Sequence, residues 1–393
     1  MNILVLTPLY YIEGRPELFH DTSAIHYLVK YWVKKGHNVH VIVTYVNYRR
    51  QIKRYMDKAQ RKYWKEGYSY TADGVSVYLI EEQLIFNKDW FTGINNHHIV
   101  KMAKSHLKRV GFEPDVIVNH FPCYSSRYLS MLGFKAPCIA VLHQTDINKG
   151  KNDLEHRELL KRNYKEIFCR SKTIFEEASK WGLSNLQDKI IYSGAPIAEA
   201  PENKIFDFSN TIKVLYVGKL IKRKNIDLII KMLQRFEKIH LCIIGEGDGL
   251  YALQELTKSL KVDGRVEFLG GKTRKEVISY MREADVFCMP SVRETFGLVY
   301  LEAMSQGCLT IGTVDEGIDG IMKDGINGFL CESTETGLEE VFKRIISCSS
   351  DKLKMVSDTA IETGRQFSEE NVSEEYLNLI VKAVYRNDEY TEV

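Results

Sequence analysis

Two carboxylates, Glu294 and Glu302, stand with seven residues between them in Pro290-Ser-Val-Arg-Glu-Thr-Phe-Gly-Leu-Val-Tyr-Leu-Glu-Ala-Met-Ser-Gln-Gly. The segment follows an apolar run at 286–289 and reads as a helix opening near Gly297. Eight helical positions cover at most ~12 Å, about the span from a sugar across a diphosphate to a ribose. Carboxylates accept hydrogen bonds from vicinal hydroxyls, and backbone N–H groups at a helix start can hold phosphate between them. In that position the pair points to ligand chemistry rather than to a solvated helix face.

Lys219 and Lys224 flank the turn after the run 214–217, five residues apart on one loop. Two ammonium groups so placed can neutralise a diphosphate and then the departing nucleotide; Lys222 and Arg223 beside them read as ordinary surface charge. The run 241–244 leads into Gly245-Glu-Gly-Asp-Gly. Its spacing is G-x-G-x-G, and Leu250 stands where G-x-G-x-x-G needs glycine, so a tight turn lining a nucleotide site is expected, not a dinucleotide fingerprint. His143 closes the run 139–142. Asp146, three residues on, either orients an acceptor or caps the following helix. No His/Cys cluster has metal-ligand spacing and no G-x-S-x-G or Walker loop occurs, so neither a metal nor a cofactor is expected.

The chain has 393 residues, 44% hydrophobic and 27% charged, with 26 Gly and 8 Pro. That suffices for two to three domains of roughly 150 residues with large cores, and the composition argues against disorder. No apolar run approaches the ~20 residues that span a bilayer, and the N-terminus reads as a buried strand, not a signal peptide. Eight scattered cysteines without a C-x-x-C pair point to free thiols in a reducing cytosol. The net charge of +2 conceals an asymmetry: residues 1–200 hold 29 Lys and Arg against 20 Asp and Glu, the remainder 25 against 32. The first half is expected to face something anionic. Residues 49–65 concentrate this charge in Arg49, Arg50, Lys53, Arg54, Lys58, Arg61, Lys62 and Lys65, against Asp57 alone. Ile52, Tyr55, Met56, Ala59 and Tyr63 lie among them at helical spacing, so the stripe either lies on an anionic membrane surface or packs inside the protein. Nucleic acid is not expected, for want of a binding-fold signature.

Most of these groups fall just after apolar runs that alternate with helical segments, the pattern of parallel sheets covered on both faces. One series of runs lies at 3–7, 39–44, 116–118, 139–142, 167–169 and 190–192. Ile25, Leu28, Val29, Trp32 and Val33 make one helix face that ends at Gly36. A second series lies at 214–217, 241–244, 266–269, 286–289 and 309–311, after a linker, Pro196-Ile-Ala-Glu-Ala-Pro-Glu-Asn. The expected architecture is α/β: two facing, doubly wound Rossmann-like domains, 1–200 and 201–371, with a closing helix at about 372–388 that packs back on the first. Ligands of such sheets bind at the carboxyl ends of strands, so a cleft between the two sheets is the expected site.

In this order the motifs resemble the retaining, nucleotide-sugar-dependent glycosyltransferases of family 4, which have the GT-B fold. Glu294 and Glu302 are similar to that family's E-x7-E signature, and Val217-Gly-Lys-Leu-Ile-Lys-Arg-Lys-Asn to its basic loop. Ile244-Gly-Glu-Gly, Phe268-Leu-Gly, Ala284-Asp-Val and Asp324-Gly-Ile-Asn-Gly-Phe-Leu match later landmarks; Gly36-His-Asn-Val and Leu142-His-Gln-Thr-Asp extend the likeness to the first half. The resemblance implies metal-independent transfer of a sugar, with retention, from a nucleoside diphosphate sugar (UDP favoured) to a hydroxyl acceptor. It implies catalytic roles for His143, Glu294 and Lys224. It implies donor binding, in the second domain, by Gly218, Lys219, Lys224, Gly245, Glu246, Phe268, Thr295, Phe296, Gly297, Leu298 and Glu302. Lys219 stands where the family often has Arg, and its point charge cannot make a bidentate fork. After the first strand the family usually carries Gly-Gly; this chain has a longer loop with only Gly14, so Arg15 and His20 become candidates for side-chain phosphate contacts there, and with Asp146 they are the acceptor-binding candidates. Relatives of this kind build bacterial surface polysaccharides of the capsule or O-antigen type. With the basic first half, that implies a lipid-diphosphate-linked acceptor and a cytoplasmic enzyme peripheral to the inner face of the membrane. A soluble small-molecule or protein acceptor, an epimerase of the same architecture, or a non-catalytic nucleotide-sugar-binding regulator are the alternatives.

Overall fold

The computed structural model describes residues 1–10, 24–46, 67–82, 89–201, 204–294 and 296–385. The chain divides into two compact units, Met1–Tyr192 with Glu370–Val393, and Ser193–Glu369.

In the first unit, β1 (Asn2–Thr7), β2 (Asn38–Val46), β3 (Tyr68–Ala72), β4 (Val75–Glu82), β5 (Val116–His120), β6 (Cys138–Leu142), β7 (Glu166–Cys169) and β8 (Leu186–Ile190) form one sheet in the order β3-β4-β2-β1-β5-β6-β7-β8. Its described helices are α1 (Ala24–Lys34), α2 (Asp89–Arg109), α3 (Pro122–Leu129), α4 (Gln144–Gly150), α5 (Leu154–Asn163) and α6 (Lys172–Ser179). Ile25, Leu28, Val29 and Trp32 are the buried stripe of α1, and Gly36, at φ 85°, ends it with its N–H on Val33 O. Two features depart from the sequence expectation. The sheet is parallel except for β3, which pairs antiparallel with β4 through a turn where Asp73 and Gly74 both have positive φ, as a tight hairpin requires. The outer strand on the other edge is Leu186–Ile190, not 190–192; its exposed Asp188 and Lys189 suit an edge and leave no apolar run to read.

In the second unit, β9 (Ile212–Val217), β10 (Ile239–Ile244), β11 (Val266–Gly270), β12 (Val286–Cys288), β13 (Leu309–Thr313) and β14 (Phe329–Cys331) form a parallel sheet in the order β11-β10-β9-β12-β13-β14. Its helices are α7 (Ile226–Met232), α8 (Leu250–Ser259), α9 (Arg274–Glu283), α10 (Leu298–Ser305), α11 (Glu335–Ser347) and α12 (Ser350–Gln366). The strand order reverses between β9 and β12, and such a switch point leaves a crevice at the carboxyl ends of the strands.

The last helix, α13 (Glu369–Tyr385), belongs to the first unit. The indole N–H of Trp32 donates to Ser373 O at 3.1 Å, and Tyr376 packs edge-on against the same ring with centroids 5.1 Å apart. Val372, Tyr376, Ile380 and Ala383 are its buried face. Among the described residues no helix is long and apolar enough to cross a membrane. The basic stripe 49–65 lies outside the described residues.

Candidate active site

The loops after β9, β10 and β11 approach too closely for side chains. A Cβ on Gly245, at φ 142°, would lie 1.9 Å from Gly218 O, and one on Gly247 would lie 2.5 Å from Leu220 O. Backbone hydrogen bonds stitch the loops together: Gly218 N–H to Ile244 O at 3.0 Å, Leu220 N–H to Glu246 O at 2.9 Å and Gly245 N–H to Gly270 O at 2.8 Å. Between them lies a cavity of about 870 Å³ whose lining includes Gly218, Lys219, Gly245, Glu246, Asp248, Lys272 and Thr273, a size in the ~300–1,000 Å³ range of small-molecule sites. Gly245→Ala is expected to cost the second unit about 1–3 kcal/mol by overpacking and strain. Gly264→Ala, whose Cβ would meet nothing within 4 Å, is the neutral control; urea unfolding of the two variants decides.

Because β9 and β12 are neighbours, the segments that leave them meet. Lys224 closes a 3₁₀ turn at Lys222–Lys224, and its ammonium donates to Glu294 Oε2. Arg223 Nη1 lies 3.3 Å from the same oxygen. The side chains of Lys224 and Glu294 are 10% and 12% exposed, so the pair is largely desolvated. The two lysines therefore divide: Lys219 lines the cavity, while Lys224 holds Glu294. Arg223 is not the ordinary surface charge expected. Glu316, which the motifs did not flag, accepts the N–H of Arg293 at 2.7 Å and of Glu294 at 2.6 Å.

Glu302 lies in α10, which begins after Gly297 at φ 74°, where a Cβ would sit 2.6 Å from the Tyr300 ring. Tyr300 in turn donates its hydroxyl to Met289 O at 2.5 Å, tying α10 to the end of β12. Burial raises the pKa of Glu302, and Arg274, with Nη2 at 3.2 Å from Oε1, works against the rise. Phe296 is buried ahead of the helix, and Phe268 sits in β11 opposite Ile243. Among the described residues, Phe268, Phe296, Gly297, Leu298 and Glu302 are not part of the cavity lining, and Thr295 lies outside the described residues.

In the first unit His143 is the N-cap residue of α4. Asp146 accepts the N–H of His143 at 2.8 Å and of Cys123 at 2.7 Å, and it has no exposed surface. Of its two expected roles, the cap is the one its geometry shows. Burial lifts its carboxyl to about 6 in spite of those two bonds. The His143 ring stacks on Phe121 with centroids 3.5 Å apart, and Nε2 lies 3.2 Å from His120 Nδ1. His120 Nε2 in turn lies 3.2 Å from the Tyr376 hydroxyl. Burial, with the Arg170 cation nearby, pushes both histidines well below their usual pKa, so both are neutral at pH 7. Arg15 and His20 lie outside the described residues.

Residues 199–363 match the family model of the glycosyl transferases, group 1. The second unit carries a glycosyltransferase domain. Over 223 residues the chain is 27% identical to the lipopolysaccharide core biosynthesis glycosyltransferase LpsE of Rhizobium meliloti (strain 1021), a match that spans 56% of this chain and 65% of that relative. Sucrose-phosphate synthase from Thermosynechococcus elongatus superposes with a TM-score of 0.71 at 16% identity, covering 97% of this chain and 99% of that one. Anabaena HepE in complex with UDP gives 0.68 at 16%, over 97% and 100%. The fold is GT-B. The glycosyltransferase domain holds the cavity, the Lys224–Glu294 pair, Glu302 and Glu316 together at one end of its sheet. Glu316 and Arg274 escaped the sequence reading because each reaches its carboxylate or backbone partner from more than 20 positions away; only the strand order brings them close.

Proposed function

We propose that the protein transfers a sugar from a nucleoside diphosphate sugar to a hydroxyl acceptor, with retention of anomeric configuration, as a family 4 enzyme. The observation that carries this reading is the glycosyltransferase domain's glycine-walled cavity on the same sheet edge as the buried Lys224–Glu294 pair. The loops after β9, β10 and β11 hold the nucleotide, with Lys219 on the diphosphate. UDP is the favoured nucleotide, in keeping with the UDP complex of HepE. Glu302 accepts hydrogen bonds from the ribose, Glu294 engages the sugar, and Lys224 with Arg223 holds the Glu294 carboxylate in place and adds positive charge for the leaving diphosphate. The acceptor attacks on the face from which the diphosphate departs, and a diphosphate oxygen takes the acceptor's proton. The first unit supplies the acceptor side and His143.

The acceptor we propose is a lipid-diphosphate-linked glycan in bacterial surface polysaccharide synthesis, reached by peripheral attachment to an anionic membrane face. Support comes from the basic first half, from the exposed Lys101, Lys104, Lys108 and Arg109 along α2, and from the likeness to LpsE. Thermal-shift screening of nucleotide sugars, followed by transfer assays, tests the donor; protection by none of them at millimolar concentration would sink the reading. Glu302→Ala is expected to weaken nucleoside diphosphate binding by about 1.5–3 kcal/mol, the scale of hydrogen bonds to a charged group; equal calorimetric affinities of variant and wild type would remove its ribose role. Transfer is expected to persist after exhaustive chelation with EDTA. Loss of activity that Mg²⁺ or Mn²⁺ restores would overturn the metal-free mechanism.

A further inference from the structure

Glu316 stands in the loop after β13, and Arg293 and Glu294 stand in the segment after β12. The two strands are adjacent and parallel, so both segments leave the same edge of the sheet. Arg293 adopts φ 56°, a left-handed conformation that a side chain other than glycine resists. Its N–H and that of Glu294 are consecutive donors aimed at one place, and the carboxylate of Glu316 takes both, one oxygen each, at 2.7 and 2.6 Å. The grip closes from the other side as well: Gly317 N–H donates to Glu294 O at 2.9 Å, and Val292 N–H donates to Arg223 O at 2.9 Å. A strained turn persists where its surroundings over-determine it, and this turn is the one that sends the Glu294 side chain onto Lys224.

We propose that Glu316 is a positioning residue: its carboxylate clamps the Arg293–Glu294 turn and so fixes where the Glu294 carboxylate stands during sugar transfer. The proposal rests on the reading of Glu294 given above. It concerns the placement of Glu294 and not the nucleotide cavity, whose lining includes neither Glu294 nor Glu316. A carboxylate can satisfy both N–H groups, whereas a glutamine has one acceptor oxygen and turns an N–H₂ group towards the second donor.

Glu316→Gln is expected to lower kcat for transfer about 10- to 100-fold, since a displacement of about 1 Å at the reacting centre has that effect, while the Kd for nucleoside diphosphate stays within about 3-fold. Adding Arg293→Gly should recover a large part of the lost rate, because glycine adopts the left-handed turn without the clamp. Exchange of the Arg293 and Glu294 amide hydrogens, which does not depend on the reaction, should quicken at least about 10-fold in Glu316→Gln. The clamp is overturned if Glu316→Gln keeps wild-type amide exchange, if its kcat is unchanged while Glu294→Gln abolishes transfer, or if nucleoside diphosphate affinity falls as far as kcat. Should Glu294→Gln itself leave transfer intact, the role given to Glu294 fails instead, and amide exchange alone decides whether Glu316 clamps the turn.

Discussion

Lys224→Ala is expected to slow sugar transfer by about 10²-fold or more, the usual scale for removing one preorganised group that stabilises developing charge. The ammonium sits on Glu294 Oε2 in a largely desolvated pair, with Arg223 3.3 Å from the same oxygen. Removing it leaves the Glu294 carboxylate with a single, longer cationic partner and takes a positive charge away from the sheet edge where the diphosphate is proposed to depart. Stranding a buried charge costs about 3–5 kcal/mol; Arg223 remains, so the stability loss should fall at or below the lower end. The two effects are separable. Circular dichroism and urea midpoints establish that the variant is folded, and kinetics at saturating nucleotide sugar then report the chemical step. A folded variant with unchanged kcat and KM would remove Lys224 from the mechanism.

The first unit is expected to lose several kcal/mol of stability between pH 7 and pH 5. His120 and His143 are held well below their ordinary pKa by burial, and burial takes His106 and His156 down to about 4. The folded state keeps these rings neutral, whereas the unfolded chain takes up protons below about 6.5. Stability is therefore intact above that value and falls as the pH drops through 6.5 towards 4. A histidine with a folded value near 4 contributes roughly 2 kcal/mol of loss by pH 5. Asp146 acts in the opposite sense: its carboxyl, raised to about 6, takes up a proton in the folded state first and offsets part of the loss between pH 6 and 4. Chemical denaturation of the full chain at pH 7.5, 6 and 5 gives the slope, and His156→Gln should flatten it. Equal stability at pH 7.5 and 5 would contradict the neutral, buried state of these rings.

The strands that could be read in advance are those buried on both faces. Residues 3–6 and 214–217 are unbroken apolar runs because helices cover both sides of their sheets, and a run with no charged position has few other readings. Leu186–Ile190 could not be read this way, since an edge strand half open to water carries Gln, Asp and Lys. The β3–β4 hairpin did announce itself, in Asp73-Gly74 between two alternating segments, but a series of parallel strands left no place for it. At the site, Glu294, Glu302, Lys219 and Lys224 were legible because helix and loop spacing is local. That Lys224 sits on Glu294 rather than beside Lys219 was not, for the two segments are 70 positions apart and meet only because β9 pairs with β12. Glu316 and His120 share that difficulty: neither is unusual in its own neighbourhood, and each gains its meaning from partners more than 20 positions away, in another loop or in α13.

The return of α13 to the first unit sets an order of events on the ribosome. Ser193–Glu369 is one uninterrupted stretch and can close its sheet as soon as it has emerged. The first unit cannot finish when its own strands are made, because Ser373 and Tyr376, which cover Trp32, and the hydroxyl beside His120 all arrive after the whole of the second unit. At 5–20 residues per second the interval is roughly 10–35 s. Throughout it the N-terminal sheet exists with an unsealed aromatic face. The nascent chain thus carries a finished glycosyltransferase domain and an unfinished partner, and a stop codon just beyond Glu369 would spare the glycine-walled cavity while leaving the histidine-rich unit without its last helix.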